Sequence, residues 1–205
     1  VRFPEAATGD SLSPLWHLLL LEGMRRGEAL GLRWQDINWE RGTAHIVQTV
    51  ASDKTNHGAP IIQNYTKTRT SARTVRLTTE TLDALRTHRR SQAERQLKAA
   101  EWHDHDLILT TRFGTPVNPN NVKRSFNAIV ERADLRRIRI HDLRHTHATM
   151  LLKQGVSAKV VSERLGHASV AITLDTYSHV LPDMQDAAAD AITAILATAR
   201  KAEAG

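Results

Sequence analysis

Apolar residues recur at helical spacing along most of the chain and predict a mainly helical fold. The apolar run at residues 15–21 follows Ser13-Pro14, a serine cap and a proline typical of a first helical turn. It predicts a buried helix that ends near Gly23. Seven further helices are predicted in the same way; they span residues 26–32, 79–99, 118–133, 141–154, 157–165, 170–179 and 184–200.

Residues at the ends of these segments support the assignment. Thr79 and Ser157 are predicted caps, because a side-chain oxygen there can accept from the free N–H groups of a first turn. Gly155 and Gly166 are predicted to end their helices, because glycine readily adopts the backbone conformation that follows a last turn.

Period-two alternation predicts a small antiparallel sheet. Residues 44–50 and 73–77 are rich in β-branched side chains and read as strands. The polar segment between them, which contains Gly58 and Pro60, is predicted to be a mobile connection, and residues 107–111 a further short strand. The predicted fold class is mainly α with a small antiparallel β-sheet (α+β).

Composition adds the kind of partner to this picture. The chain has 205 residues, of which 40% are hydrophobic, so it is long enough for one sizeable core. No run of eighteen apolar residues occurs, and no membrane span is expected. The lack of cysteine excludes disulfides and thiolate metal sites and fits a reducing cytosol. The net charge of +6 indicates a polyanionic partner.

The positive charge is concentrated in the middle of the chain. Residues 64–77 hold four cations and no acid, and residues 123–144 hold seven cations against three acids. Charge alone also fits a solvated surface with scattered lysine and arginine. The distribution favours a basic surface formed by these two segments.

His141 and Arg144 lie three residues apart on one predicted helix, so their side chains leave the same face. A guanidinium offers a planar fork of donors that fits phosphate oxygens. An imidazole can donate to a phosphate or move a proton. The pair by itself also fits an ordinary helix surface.

Three more candidates stand at predicted turns and helix ends. Arg25 follows the buried helix in a glycine-flanked turn, with Glu28 three residues on, and a salt-bridged loop is the alternative interpretation. His167 follows a helix end, and Tyr177 lies ten residues later. A phenol has a pKa near 10 and needs a base or positive surroundings to attack as phenolate, and a helical tyrosine also serves for packing.

A metal site is the other interpretation of so many histidines. His141, His145 and His147 cluster on one segment, but no glutamate of the metalloprotease pattern lies between the first two. Residues 103–106 alternate histidine with aspartate and read as a solvated turn. We therefore expect no metal and no cofactor.

Taken together, these motifs resemble the tyrosine recombinase (phage integrase) family. The resemblance runs from about Asp10 to about Leu181 and is carried by the strings Gly23–Trp34, Thr66–Leu77, His141–His145, Leu165–His167 and Thr176–Tyr177.

The resemblance implies a site-specific recombinase that cuts and rejoins DNA strands, as in the integration or excision of a mobile element. Tyr177 would attack the scissile phosphate and form a 3′-phosphotyrosyl link. Arg25 and Arg144 would hold the non-bridging oxygens. His167 would donate to the phosphate, and His141 would accept a proton or bind the phosphate as well.

The resemblance also assigns the basic segment at residues 64–77. Lys67 would protonate the leaving 5′-oxygen, and a solvent-exposed lysine on the DNA backbone is the alternative. Arg69 and Arg73 would contact the DNA backbone, and Glu28 would support the arginine of the first motif.

The expected partner is double-stranded DNA, with self-association into a tetrameric synapse in the full-length protein and with accessory DNA-bending proteins. Residues 1–205 are expected to form a single catalytic domain, the C-terminal fragment of a longer recombinase without its N-terminal DNA-clamping domain. Residues 183–205, with an apolar stripe, would pack in trans on a neighbouring protomer. The expected location is the cytoplasm, on the nucleoid.

Two other functions remain open at this point. A type IB topoisomerase-like enzyme would use the same chemistry to relax DNA without pairing two sites. A catalytically inactive DNA-binding module would keep the basic surface without the reaction.

Overall fold

The computed structural model describes residues 2–64, 72–178 and 184–203, which form a mainly helical fold with two small antiparallel sheets. The helices are α1 (Arg2–Ala6), α2 (Ser13–Leu20), α3 (Arg26–Gly31), α4 (Thr79–Lys98), α5 (Pro119–Arg132), α6 (Ile140–Lys153), α7 (Ala158–Leu165), α8 (Val170–Tyr177) and α9 (Met184–Glu203). The strands are β1 (Ile37–Asn38), β2 (Thr43–Ile46), β3 (Gln48–Asp53), β4 (Ala59–Asn64) and β5 (Arg73–Arg76). The predicted fold class is confirmed.

The strands form two sheets where the sequence predicted one. The single predicted strand at 44–50 is wrong, because it divides at Val47 into β2, which pairs with β1 and β5, and β3, which pairs with β4. The predicted connection around Gly58 and Pro60 is also wrong in part, since β4 lies within it. This strand gives a weak period-two signal because its side chains are only partly buried or exposed.

The predicted strand at residues 107–111 is wrong. Its apolar residues are buried in succession, and the segment makes only isolated bridges, Leu107 with Arg33 and Thr110 with Pro116. Side chains of α4 contact two of its carbonyls. A short apolar run that crosses the core has the composition of a strand even when no ladder forms.

Two predicted helix caps are displaced by one residue. The α4 cap is Thr78, whose hydroxyl accepts from the Thr81 N–H, and Thr79 is the first helical residue. Helix α2 likewise begins at Ser13 itself, preceded by Leu12, with no side-chain cap bond. At α4 two adjacent threonines compete for the cap, and local sequence fixes a helix end only to within a residue or two.

The other end signals are confirmed. Ser157 accepts from the N–H of Val160 at the start of α7. Gly155 and Gly166 follow α6 and α7 with φ of 78° and 67°, in the left-handed region that glycine favours.

The residues that the structure describes form two hydrophobic clusters in the interior. The larger surrounds α2, where Leu15, Trp16, Leu18 and Leu19 are buried. The smaller joins α6, α7 and α8, and Tyr177 is one of its buried members. Among the described residues, no helix is long and apolar enough to cross a membrane.

Helix α3 lies directly against β3 because glycine allows the two backbones to meet. A Cβ atom on Gly31 would stand 2.9 Å from the Cα of Thr49, closer than van der Waals contact allows. This close approach fixes the short helix, and with it Arg25, the residue that precedes its first turn.

Candidate active site

Three arginines from distant parts of the chain bind the C-terminal end of α7. Consecutive carbonyls accept from them: that of residue 164 from Arg73 at 2.8 Å, that of residue 165 from Arg144 at 2.7 Å, and that of residue 166 from Arg25 at 2.9 Å. The last carbonyls of a helix have no partner within it and carry partial negative charge. One helix end therefore gathers three cations.

Glu28 is the counter-ion that holds two of these arginines together. Its carboxylate is fully buried and accepts from both terminal nitrogens of Arg73 at 2.9 Å, and from the backbone N–H and Nη1 of Arg25 at 2.8 Å. Burial raises the pKa of Glu28, but the hydrogen bonds and charges of Arg73 and Arg25 outweigh burial and leave that pKa below its usual value. The group is therefore an anion at neutral pH.

Arg144 is a buried cation that forms no salt bridge with any carboxylate of the residues that the structure describes. The residue is 3% exposed, and its guanidinium donates to the carbonyls of Gly23 at 2.6 Å and Leu165 at 2.7 Å. Burial, and next the charge of Arg25, lower the pKa of Arg144 to about 10. It stays protonated at neutral pH, and its incomplete charge compensation favours an anionic ligand.

An open cavity of about 410 Å³ lies against this cluster. Arg25, His141, Arg144 and His167 line it, together with Gly166, Ala168 and Ile172. The side chain of Arg25 is 40% exposed. The structure thus brings four of the six predicted catalytic residues to one cavity with two cations and two imidazoles.

Both imidazoles of the cavity favour their neutral form. Desolvation, followed by the charges of Arg144 and Arg25, lowers the pKa of His167 to about 4. Desolvation, followed by the charges of His145 and Arg144, also lowers the pKa of His141. Nδ1 of His167 lies 2.8 Å from the hydroxyl of Thr173. When that hydroxyl donates, the imidazole proton resides on Nε2.

Tyr177 lies beside this cavity but is not among its lining residues. It is 4% exposed, and its hydroxyl lies 2.8 Å from Nδ1 of His145. Burial raises the pKa of Tyr177, and the charge of Arg144 opposes the rise. The phenol is therefore protonated at neutral pH.

Two predicted residues, Lys67 and Arg69, lie outside the described residues. Arg73, predicted to contact the DNA backbone, is instead turned inward: its side chain is 9% exposed and bound to Glu28. This position makes it a support for the cluster and gives no support to the predicted backbone contact.

Several residues of the site were not found from the sequence. The sequence indicates His145 as a candidate metal ligand and as part of a family motif but assigns it no role in catalysis, and it gives no indication of Thr173 or of the inward position of Arg73. Among the described residues, no group of three histidine, aspartate or glutamate side chains could hold a metal ion. His145 falls one helical turn after His141, and that spacing was the available signal for its place on the same face.

A second network, formed by Arg164, Glu22 and His147, adjoins the arginine cluster through the Arg164 carbonyl that accepts from Arg73. Arg164 forms an ion pair with the buried Glu22 and donates through Nε to Nε2 of His147 at 3.1 Å. Nδ1 of His147 therefore carries the proton and donates to the carbonyl of Leu20 at 3.1 Å. Burial, followed by the charge of Arg164, lowers the pKa of His147 to about 4.

Comparison with known proteins identifies the family. The description "Phage integrase family" applies to residues 8–184, most of the chain. The chain belongs to the phage integrase family.

Named relatives are recombinases and integrases. This integrase-family chain is 33% identical to a tyrosine recombinase XerC-like protein of Caldanaerobacter subterraneus over 200 residues, which cover 93% of the chain and 51% of that protein. It is 31% identical to the ICEBs1 integrase of Bacillus subtilis over 176 residues, 86% of the chain and 47% of the relative. The chain thus spans about half the length of the curated relatives it matches.

Solved structures share the fold at low sequence identity. The Tn1549 transposon integrase, in complex with a circular intermediate DNA, matches with a TM-score of 0.76 at 18% identity, over 93% of this chain and 62% of that one. The catalytic domain of bacteriophage HP1 integrase matches with a TM-score of 0.58 at 18% identity, over 92% and 88%. The family fold predicted from the motifs is confirmed.

Proposed function

We propose that this chain is the catalytic domain of a longer site-specific DNA recombinase, an integrase of a mobile element. It cuts and rejoins DNA through a covalent bond between Tyr177 and a 3′-phosphate. The observation that carries the proposal is the cavity in which Arg25, Arg144, His141 and His167 converge beside that tyrosine.

The two arginines suit the charge of a phosphodiester under attack. A pentavalent transition state carries more negative charge on its non-bridging oxygens than the ground state does, so fixed cations stabilise it selectively. Arg144 is held by two carbonyls and Arg25 by Glu28, so neither has to be ordered during the reaction. His167 donates from Nε2, and His141 binds the phosphate from the cavity rim.

Cleavage keeps the energy of the broken bond. The Tyr177 hydroxyl gives its proton to a base, its oxygen bonds to phosphorus, the bond from phosphorus to the 5′-oxygen breaks, and that oxygen takes a proton from Lys67. The reverse attack by a 5′-hydroxyl rejoins a strand. The exchange of one phosphodiester for another requires no nucleotide and no metal cofactor.

The proposed substrate is duplex DNA, with assembly of several protomers on paired sites. Support comes from the net charge of +6 and from relatives solved with DNA, such as the XerH recombinase bound to difH substrate. The fragment should bind weakly, with affinity that falls steeply between 50 and 300 mM salt, roughly as expected for phosphate contacts. A cytoplasmic, nucleoid-associated location, a tetrameric synapse and accessory DNA-bending proteins remain predictions.

Helix α9 is the proposed contact between protomers. Three apolar side chains on its described part are exposed, Ile192 by 58%, Ile195 by 63% and Leu196 by 52%. Their exposure supports a helix that packs on a neighbouring copy, because an apolar stripe of this kind is normally covered in the assembled protein.

The test is covalent trapping in EDTA. Nicked suicide duplexes from a randomised pool are incubated with the chain and with the longer native protein, and protein–DNA adducts that survive SDS are counted. We expect adducts that Tyr177→Phe abolishes. No adduct from the full-length protein would contradict the proposal, and relaxation of plasmid without paired-site recombination would favour the topoisomerase alternative.

A further inference from the structure

A proton acceptor for Tyr177 is needed and is not provided by the cavity. Burial raises the pKa of this phenol, so at neutral pH the nucleophile carries its proton up to the moment of attack. The sequence pointed to His141 as one candidate acceptor. In the structure His141 lines the cavity, whereas the imidazole hydrogen-bonded to the phenol belongs to another residue.

That residue is His145, and its contacts are those of a proton acceptor. Its Nδ1 lies 2.8 Å from the Tyr177 hydroxyl, with the two ring centroids 5.7 Å apart. It stands one helical turn beyond His141, with its ring edge-on to that imidazole at a centroid distance of 4.7 Å. It therefore connects the nucleophile with the wall of the phosphate cavity.

From this geometry we propose that His145 is a catalytic residue of the proposed cleavage reaction, the base that removes the proton of Tyr177. The inference rests on the proposed function. The phenol proton passes to Nδ1, the phenol oxygen bonds to phosphorus, the bond from phosphorus to the 5′-oxygen breaks, and that oxygen takes a proton from a separate donor. On rejoining, His145 returns its proton to the phenol oxygen.

The charged surroundings of the pair are compatible with this transfer. Within the described ranges, the titratable and charged groups that interact with the two side chains are His141 and Asp142 on α6, and Arg144, which acts on the phenol. Arg144 stabilises the phenolate as it forms. Asp142 is an anion on the same helix and favours the imidazolium that results.

The decisive experiment compares two replacements of His145 on a duplex with a 5′-bridging phosphorothiolate. The sulfur leaves without a proton, so the rate reports on the nucleophile alone. His145→Asn places an amide oxygen near the position of Nδ1, which keeps the hydrogen bond and removes the basicity. His145→Ala removes both. Thr146→Ala is the matched control, because Thr146 is an exposed neighbour whose hydroxyl donates to the Asp142 carbonyl of its own helix.

We expect both His145 variants to cleave about 100-fold more slowly than wild type at pH 7. At pH values where the wild-type cleavage rate no longer increases, the cleavage rates of both variants should still increase about tenfold per pH unit. Wild-type cleavage by His145→Asn would assign a positioning role and overturn the proposal. Cleavage by His145→Ala at the wild-type rate or faster would also overturn the proposal, because the hydrogen bond would then only hold Tyr177 in an inactive position. If wild type still forms adducts when either variant cleaves normally, only the role of His145 is refuted and the proposed function is not.

An NMR measurement of the ring nitrogens of neutral His145 tests the pair without DNA. Because the proposed base accepts from the phenol through Nδ1, that nitrogen should carry no proton in wild type, and Tyr177→Phe should change its chemical shift. Thr146→Ala should leave the shift unchanged. A protonated Nδ1 in wild type would overturn the inference even if no cleavage were obtained from any variant.

Discussion

Replacement of Glu28 by glutamine tests whether one buried carboxylate holds the arginine cluster together. The change keeps the volume of the side chain, so no cavity term enters. It removes the only carboxylate that binds Arg25 and Arg73 among the described residues, and it turns an amide N–H toward donors. Glu28 is fully buried, and the side chain of Arg73 is 9% exposed.

The expected loss follows from this burial. Removing one partner of a buried ion pair costs about 3–5 kcal/mol. The contact with Arg25, whose side chain is 40% exposed, adds little because water screens it. A loss of about 4 kcal/mol is a large part of the roughly 5–15 kcal/mol that stabilises a domain. With a urea m-value of about 2 kcal/mol/M, the unfolding midpoint should fall by about 2 M.

Urea unfolding of Glu28→Gln beside Asp83→Asn measures the difference. The Asp83–Arg86 pair has the same i,i+3 spacing and the same 2.8 Å distance as Arg25–Glu28, but both side chains are at least half exposed. Its loss should cost at most about 1 kcal/mol. A second replacement, Arg73→Gln, should cost much less in Glu28→Gln than in wild type. Equal midpoint shifts for Glu28→Gln and Asp83→Asn would refute the reasoning.

Three further predictions concern acid stability, tautomer control and assembly. The unfolded chain binds a proton at His147 near pH 6.5, whereas the folded chain binds it only near pH 4, so the folded state loses about 3 kcal/mol of stability as the pH falls from 6.5 to 4. His147→Gln should therefore reduce the fall of the urea midpoint over this range. The same pH dependence in both proteins would contradict this prediction. Thr173→Val removes the hydroxyl that binds His167. Trapping assays should show about tenfold slower cleavage by a folded protein, because the loss of one hydrogen bond raises the barrier by about 1.4 kcal/mol. An unchanged rate would show that Thr173 does not control the tautomer of His167. Deletion of residues 184–203 should leave adduct formation intact and abolish higher-order complexes on DNA in native electrophoresis, and unchanged complexes would exclude packing in trans.

Local sequence signals predicted the helices well and the sheets poorly. Ser157 and Gly166 bound α7 as expected, because capping depends on hydrogen bonds within a few residues of the chain. The division at Val47 could not be read, since which strand each half pairs with depends on segments that lie far along the sequence. Period-two alternation is similar in a strand of either sheet.

The sequence identified most of the chemical groups of the site, but it did not show which residues hold them in place. Arg25, His141, Arg144, His167 and Tyr177 were all named from motifs, and the structure places the first four around one cavity. A sequence motif specifies residue types at fixed spacings, and this is enough to identify the side chains that contact a ligand.

Only the tertiary structure decided which groups hold the reactive ones. Arg73 reaches Glu28 across 45 residues of sequence, and Tyr177 meets His145 across 32. Such contacts form because buried charges and hydroxyls must find partners in the packed interior. The partner is the nearest suitable group in space, and proximity in space is set by how α6, α7 and α8 pack against each other.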